Sequence, residues 1–452
     1  MTAALAIPEV SAAAPPTPLP SPRKDIVPYG VAALLMFGPL AFGAVEPWAI
    51  FMLQFAAVVL LAIWVVMQVR SGQFSLTSNP VFPPMCVFGA LIIIQLFGTS
   101  AYRHATYSGF LLYVAYGIIC FLIAQTLNRT TQLRRFATAF VAYGSCMAMF
   151  AVLESLSSGG KLYWTRTPRF GGWIYGPYVN HNHYAGLMEM LVPIPLVFAF
   201  SRYAQGRRRW LAASAAAFMG ATIFLSGSRG GMAAFAVQVT IFLWFLFRER
   251  TRNGAALLLG GSLLLVLACI AWIGGSEVSA RLATLGFTKH TDLAEDVRLK
   301  IYGDSLHMFA HRPVLGWGLG TFPTVYPQFR SFYTNSFVNA AHNDYLQFLT
   351  ETGMLGFGIA IWLLVAAVRS AIRKTKNWPS DVNGAVSLAA LLGISGILIH
   401  SLVDFNLQIP ANAMLFYVLC TVAAMEPRFR NHRRERHKHA AVEQPFVEST
   451  SG

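Results

Sequence analysis

AHNDYLQFLTETGMLGFGIAIWLLVAAV, residues 341–368, decides the fold of this chain. A polar entry through His342, Asn343 and Asp344 leads into an apolar run from Tyr345 to Val368 whose single charge is Glu351. About 17 to 25 apolar residues cross a bilayer as a helix, so the stretch predicts a membrane span with a histidine at its mouth. Runs of similar character recur near 28–44, 48–68, 81–98, 107–126, 133–155, 183–201, 210–226, 231–247, 254–274, 384–401 and 410–426. With 55% hydrophobic and 12% charged residues and a mean hydropathy of +0.52, the composition excludes an ordinary soluble globule. The expected fold is an all-α integral membrane protein of about twelve transmembrane helices.

Basic residues orient it, because short loops rich in Lys and Arg stay in the cytoplasm. Arg70, Arg129, Arg134, Arg135, Arg202, Arg207 to Arg209, Arg248, Arg250, Arg252, Arg369, Arg373, Lys374 and Lys376 all fall on one face, with Arg23, Lys24 and the tail from Arg428 to Lys438. Both termini are therefore expected in the cytoplasm. The formal charge of +15 is read as this topology signal and not as a nucleic-acid surface, so no nucleic-acid partner is expected. Residues 1–25, rich in Ala and Pro, read as a disordered cytoplasmic tail, 26–426 as the transmembrane domain, and 427–452 as a basic cytoplasmic tail. Cys86, Cys120, Cys146, Cys269 and Cys420 lie in expected spans and read as small core residues without disulfides.

Two outer loops are long, 156–182 and 275–343, the second lying between the ninth and tenth helices. A helix is expected in it from Asp296 to Phe309, followed by Pro313-Val314-Leu315-Gly316-Trp317-Gly318-Leu319-Gly320. A loop of that length usually carries function. A transporter of two six-helix halves would instead place its major loop in the cytoplasm between helices six and seven, where this chain has only Arg202 to Arg209. The Gly-x-Gly-x-Gly run lacks the strand-to-helix setting of a nucleotide site.

His342 at a helix start is placed to stay neutral, as a general base must; taken alone, it reads more readily as an interfacial histidine that hydrogen-bonds in a loop. Asp344, three residues before Gln347, reads as a helix cap. Glu351 lies deep enough to face a wet cavity or brace helices. Leu225-Ser226-Gly227-Ser228-Arg229-Gly230-Gly231 makes a tight outer turn where Arg229 either binds an anion with its planar fork or snorkels to the interface. Arg298 either reaches the same anion or ties the loop to the bundle. Asn182, His183 and Tyr184 open the sixth span beside Trp173, Tyr175 and Tyr178, and His400, Asp404, Asn406 and Gln408 bring polar groups to the outer face. His181 and His183 have no third metal ligand by spacing. The first outer loop holds only Glu46 in place of a metal-binding acidic pair, so neither metal nor cofactor is expected.

The stretch from His342 to Gly356 resembles the His-Asn-x-x-Leu-(x)4-Glu-x-Gly-x-x-Gly signature of the O-antigen ligase and polymerase family, and the resemblance extends over roughly 180 to 410. The order of Arg229 in a Gly- and Ser-rich turn, Arg298, a short helix, a Pro- and Gly-rich turn and then His342 is also that family's. The resemblance implies a bundle like that of the GT-C glycosyltransferases in a bacterial cytoplasmic membrane. It implies an undecaprenyl diphosphate-linked glycan donor and, as acceptor, lipid A-core or a growing polysaccharide. It further implies His342 as catalytic base and Arg229 and Arg298 on the diphosphate; Asn182, His183, Tyr184, Glu351 and Asp404 are expected from their own positions to contact substrate. A carrier or flippase for a polyprenyl-linked glycan is the rival reading, needing the basic cavity but no base.

Overall fold

The computed structural model describes residues 26–72, 76–127, 129–167, 174–248, 295–334 and 337–425. Within them every regular element is helical, and β pairing is confined to the isolated bridges Leu162 with Arg166 and Tyr175 with Tyr178. The helices are α1 (Ile26–Leu40), α2 (Pro47–Ser71), α3 (Phe82–Ile94, prolonged to Thr99 by a π turn), α4 (Arg103–Thr126) and α5 (Thr130–Ser157). They continue with α6 (His181–Leu191), α7 (Pro193–Phe200), α8 (Arg207–Ser226), α9 (Arg229–Arg248) and α10 (Glu295–His311). The last are α11 (Phe322–Val325), α12 (Asp344–Lys374), α13 (Val382–His400) and α14 (Pro410–Ala424).

Among the described residues nine spans are long and apolar enough to cross a membrane, α6 and α7 forming one of them, and α1 and α14 are shorter apolar helices. The expected span at 254–274 lies outside the described residues, as do both tails and Cys269. Apolar sequence is spent on both faces of these helices. On α2 Ala49, Leu53, Ala57, Leu60 and Trp64 are buried while Phe51, Phe55, Val58 and Val69 point outward. A helix hydrophobic all round is what a lipid surround requires. Cys120 and Cys420 are core residues as expected, whereas Cys86 and Cys146 are exposed, because they sit on the outward faces of α3 and α5.

At the centre, α13 packs against α6, α7, α9, α12 and α14, and α6 is buried along its whole length. Outside this bundle α10 and α11 share a small second core of Ile301, Met308, Phe322, Val325, Tyr326, Val338 and Ala341. The helix expected at 296–309 is therefore α10, slightly longer at both ends. Its follow-on turn is docked on α12, with Trp317 N–H donating to the Thr350 carbonyl at 3.0 Å and Gly318 N–H to that of Glu351 at 2.9 Å. Gly316 has φ 68, and a Cβ there would lie 2.5 Å from the Glu351 carbonyl carbon. The glycine run is thus a close-packing device. It fits against the break in α12 at Gly353, where φ is 65 and ψ −171.

Candidate functional site

His342 has a left-handed backbone with φ 53, a conformation that costs a residue with a side chain roughly 1 to 2 kcal/mol and collects at functional sites. Hydrogen bonds from both flanks impose it. Ala341 N–H donates to Gln347 Oε1 at 3.0 Å, the Tyr302 hydroxyl donates to the His342 carbonyl at 2.9 Å, and Asp344 N–H donates to the Ser401 carbonyl at 3.0 Å. The helix cap is Asn343, whose extended backbone lets its side chain accept from Leu346 N at 3.1 Å. This corrects the expected cap, Asp344. The turn at His342 places Asn343 one residue outside α12 and leaves Asp344 inside it, where its buried carboxylate accepts from the Ser401 hydroxyl at 2.8 Å and the Leu407 amide at 2.9 Å.

Those two bonds fasten α12 to the segment that follows α13, residues 401–408, and this segment is the hub of the site. The Phe405 ring stands edge-to-face against two imidazoles, its centroid 4.9 Å from that of His342 and 4.8 Å from that of His183. Asp404 is buried beside them, its Oδ1 accepting from Phe405 N at 2.7 Å and lying 3.9 Å from His183 Nε2. Burial opposes the charge on Asp404, yet His183, His400, His342 and the Phe405 amide together hold its carboxyl below the ordinary aspartate value. Burial raises the Tyr302 phenol, Arg298 opposes that shift and Asp404 adds to it, so Tyr302 remains a donor to His342. An anionic Asp404 next to a cluster of histidines can steady an imidazolium as it forms, the part a carboxylate plays beside a catalytic histidine.

Arg298 and the turn that carries Arg229 both meet Val403, in the same segment. Arg298 Nη1 donates to the Val403 carbonyl at 3.3 Å, which ties α10 to the hub, while its Nε is buried without a protein acceptor among the described residues. Arg229 is exposed at the first position of α9. Its neighbour Gly230 is so tight against the hub that an added Cβ would lie 2.8 Å from Val403 Cγ2. The tight outer turn is completed by Gly227, left-handed at φ 75, which ends α8.

The remaining expected site residues divide. Asn182 and His183 are buried in the first turn of α6, which Asn180 caps by accepting from Asn182 N. Tyr184 is fully buried, its hydroxyl 2.8 Å from Thr222 Oγ1 and its ring edge-to-face with Tyr175. Glu351 is engaged by the outer loop, accepting from Gly320 N at 2.9 Å and Phe322 N at 3.1 Å, with Gln347 Nε2 at 3.4 Å. Glu46 is paired with Arg166. Two contributors were not singled out by sequence reasoning, Phe405 and Tyr302. Phe405 was flanked by a signal, lying between the noted Asp404 and Asn406; Tyr302 had none, since only tertiary packing brings α10 over His342.

Removing the Glu351 carboxylate leaves the buried Phe322 amide without its acceptor, at roughly 1 to 3 kcal/mol, and takes the acceptor from the part-buried Gly320 amide as well. Glu351→Ala is therefore expected to lower the thermal midpoint of the detergent-solubilised protein by several degrees. An unchanged midpoint would show that the outer loop does not depend on this carboxylate.

Residues 214–363 match the family model described as O-antigen ligase, the part of the chain that carries Arg229, Arg298 and His342. No curated protein matches the chain.

Proposed function

We propose, on the match of residues 214–363 to the O-antigen ligase family model, that this chain transfers a glycan from undecaprenyl diphosphate to an acceptor hydroxyl at the outer face of the cytoplasmic membrane. Both termini lie inside, as the loop basicity argues. The observation that carries the reading is His342 itself: a histidine held in a costly backbone turn, packed on Phe405, near buried Asp404.

In the proposed reaction His342 takes the proton of the acceptor hydroxyl as its oxygen forms a bond to the anomeric carbon. The bond from that carbon to the diphosphate oxygen breaks, the electron pair leaves with the diphosphate, and one direct displacement inverts the centre. Asp404 stabilises the imidazolium. Arg229 and Arg298 hold the diphosphate and the charge it gains, so the reaction proceeds without a metal. Asn182 and His183 contact the sugars or the acceptor from α6; Tyr184 and Glu351, whose polar atoms are taken up within the protein, support the walls behind them.

The test is transfer by the purified chain from an undecaprenyl diphosphate-linked oligosaccharide to lipid A-core, or to a second lipid-linked repeat, in EDTA and without nucleotide. New glycosidic bonds are the expected product. Turnover that chelation abolishes and Mg2+ or Mn2+ restores would overturn the arginine mechanism. Movement of the lipid-linked glycan across liposomes with no bond formed would favour the carrier.

A further inference from the structure

The mechanism leaves one buried ionisable pair unused. Glu189 on α6 and His400 at the end of α13 are both essentially inaccessible, with His400 Nδ1 2.8 Å from Glu189 Oε1. On its other edge His400 Nε2 lies 3.4 Å from Ser228 Oγ, and that oxygen accepts from Gly231 N at 3.1 Å. A buried carboxylate and imidazole are expensive inside a membrane protein and add little to stability, so a role other than stability suits them better.

The order carboxylate, imidazole, hydroxyl is also that of a nucleophilic triad. Ser228 has no accessible surface, however, and no substrate carbon can reach its oxygen. What the chain does reach is the first turn of α9. A Cβ on Gly230 would lie 2.7 Å from His400 Cδ2, and one on Gly231 would lie 3.1 Å from Glu189 Oε1 and 3.0 Å from Ser228 Oγ. The two glycines thus let the turn that carries Arg229 sit directly on the pair. Two more bonds hold the same helix further along, where Gln238 Nε2 donates to the carbonyls of Glu189 at 2.7 Å and Leu392 at 2.8 Å.

We propose that Glu189 and His400 form a positioning pair that sets the Ser228 to Gly231 turn, and through it Arg229, for binding a diphosphate. This rests on the reading of Arg229 as a diphosphate ligand. With Nδ1–H given to the Glu189 carboxylate, the Nε2 edge is fixed toward Ser228, and Ser228 fixes the Gly231 amide. The direction of Arg229 at the mouth is thereby set from α6 and α13.

The experiment is binding of undecaprenyl diphosphate to the full-length chain in detergent, for Glu189→Gln, Arg229→Ala and the double variant, with Ser228→Ala in the same two backgrounds. Glu189→Gln keeps the shape and removes the charge; Ser228→Ala removes a single hydroxyl and covers the case in which Glu189→Gln does not fold. Each is expected to weaken binding about tenfold when Arg229 is present and to add nothing when Arg229 is alanine, the signature of groups acting through one another. Equal losses in both backgrounds would reduce the pair to packing and overturn the proposal, as would undiminished binding in both single variants. If Arg229→Ala itself leaves binding untouched, the diphosphate reading fails and the positioning role falls with it. If Arg229→Ala weakens binding while Glu189→Gln and Ser228→Ala do not, only the positioning role fails.

Discussion

Replacing His342 with alanine is expected to lower kcat by about 10^2 to 10^4 while leaving donor binding close to that of the unaltered protein. A general base acts on the acceptor proton in the transition state and adds little to ground-state affinity for the diphosphate, so the loss belongs in turnover. The fold has little reason to fail, since His342 is only half-buried and its left-handed backbone is held by bonds to the main chain and to the side chains of its neighbours. His342→Asn is the sharper companion. Asparagine tolerates the left-handed region better than alanine does, so it keeps the turn and removes the base. Single-turnover rates with lipid-linked donor would measure both variants. Near-normal turnover in folded His342→Asn would refute the base and leave the carrier reading standing.

What made His342 readable in advance was its local setting. A polar triplet before a long apolar run locates a helix mouth, and most other spans are legible in the same way, from apolar runs long enough to cross a bilayer. The exact start of α12 was not readable. Its cap shifts by one residue because His342 adopts φ 53, and that turn is imposed by Tyr302 and Ser401, which come from α10 and from the segment after α13. Glu351 shows the same limit. Its place on the helix was visible, but whether it faced substrate or loop depended on the glycine turn at 316–320 folding back onto it. The meeting of His183, His342 and His400 around Asp404 is likewise a product of packing three distant segments, although each of the four residues is legible as polar on its own.

Arg229→Ala is expected to weaken binding of undecaprenyl diphosphate by about 10- to 100-fold, the size of one or two lost charge-assisted hydrogen bonds, and to lower turnover as well. Both effects follow because the same guanidinium that holds the diphosphate in the ground state faces more charge as the leaving group departs. The turn around it favours this work: Gly227 is left-handed, Gly230 admits close approach to the hub and Gly231 to α6, and Arg229 is exposed at the mouth of α9. Arg229→Lys is expected to recover little, since an ammonium keeps the charge but not the planar fork. That pair of variants separates the anion clamp from simple electrostatic attraction. Recovery of binding by lysine would mean that only the charge matters, whereas wild-type affinity in Arg229→Ala would remove this turn from the donor site and leave Arg298 to carry the diphosphate alone.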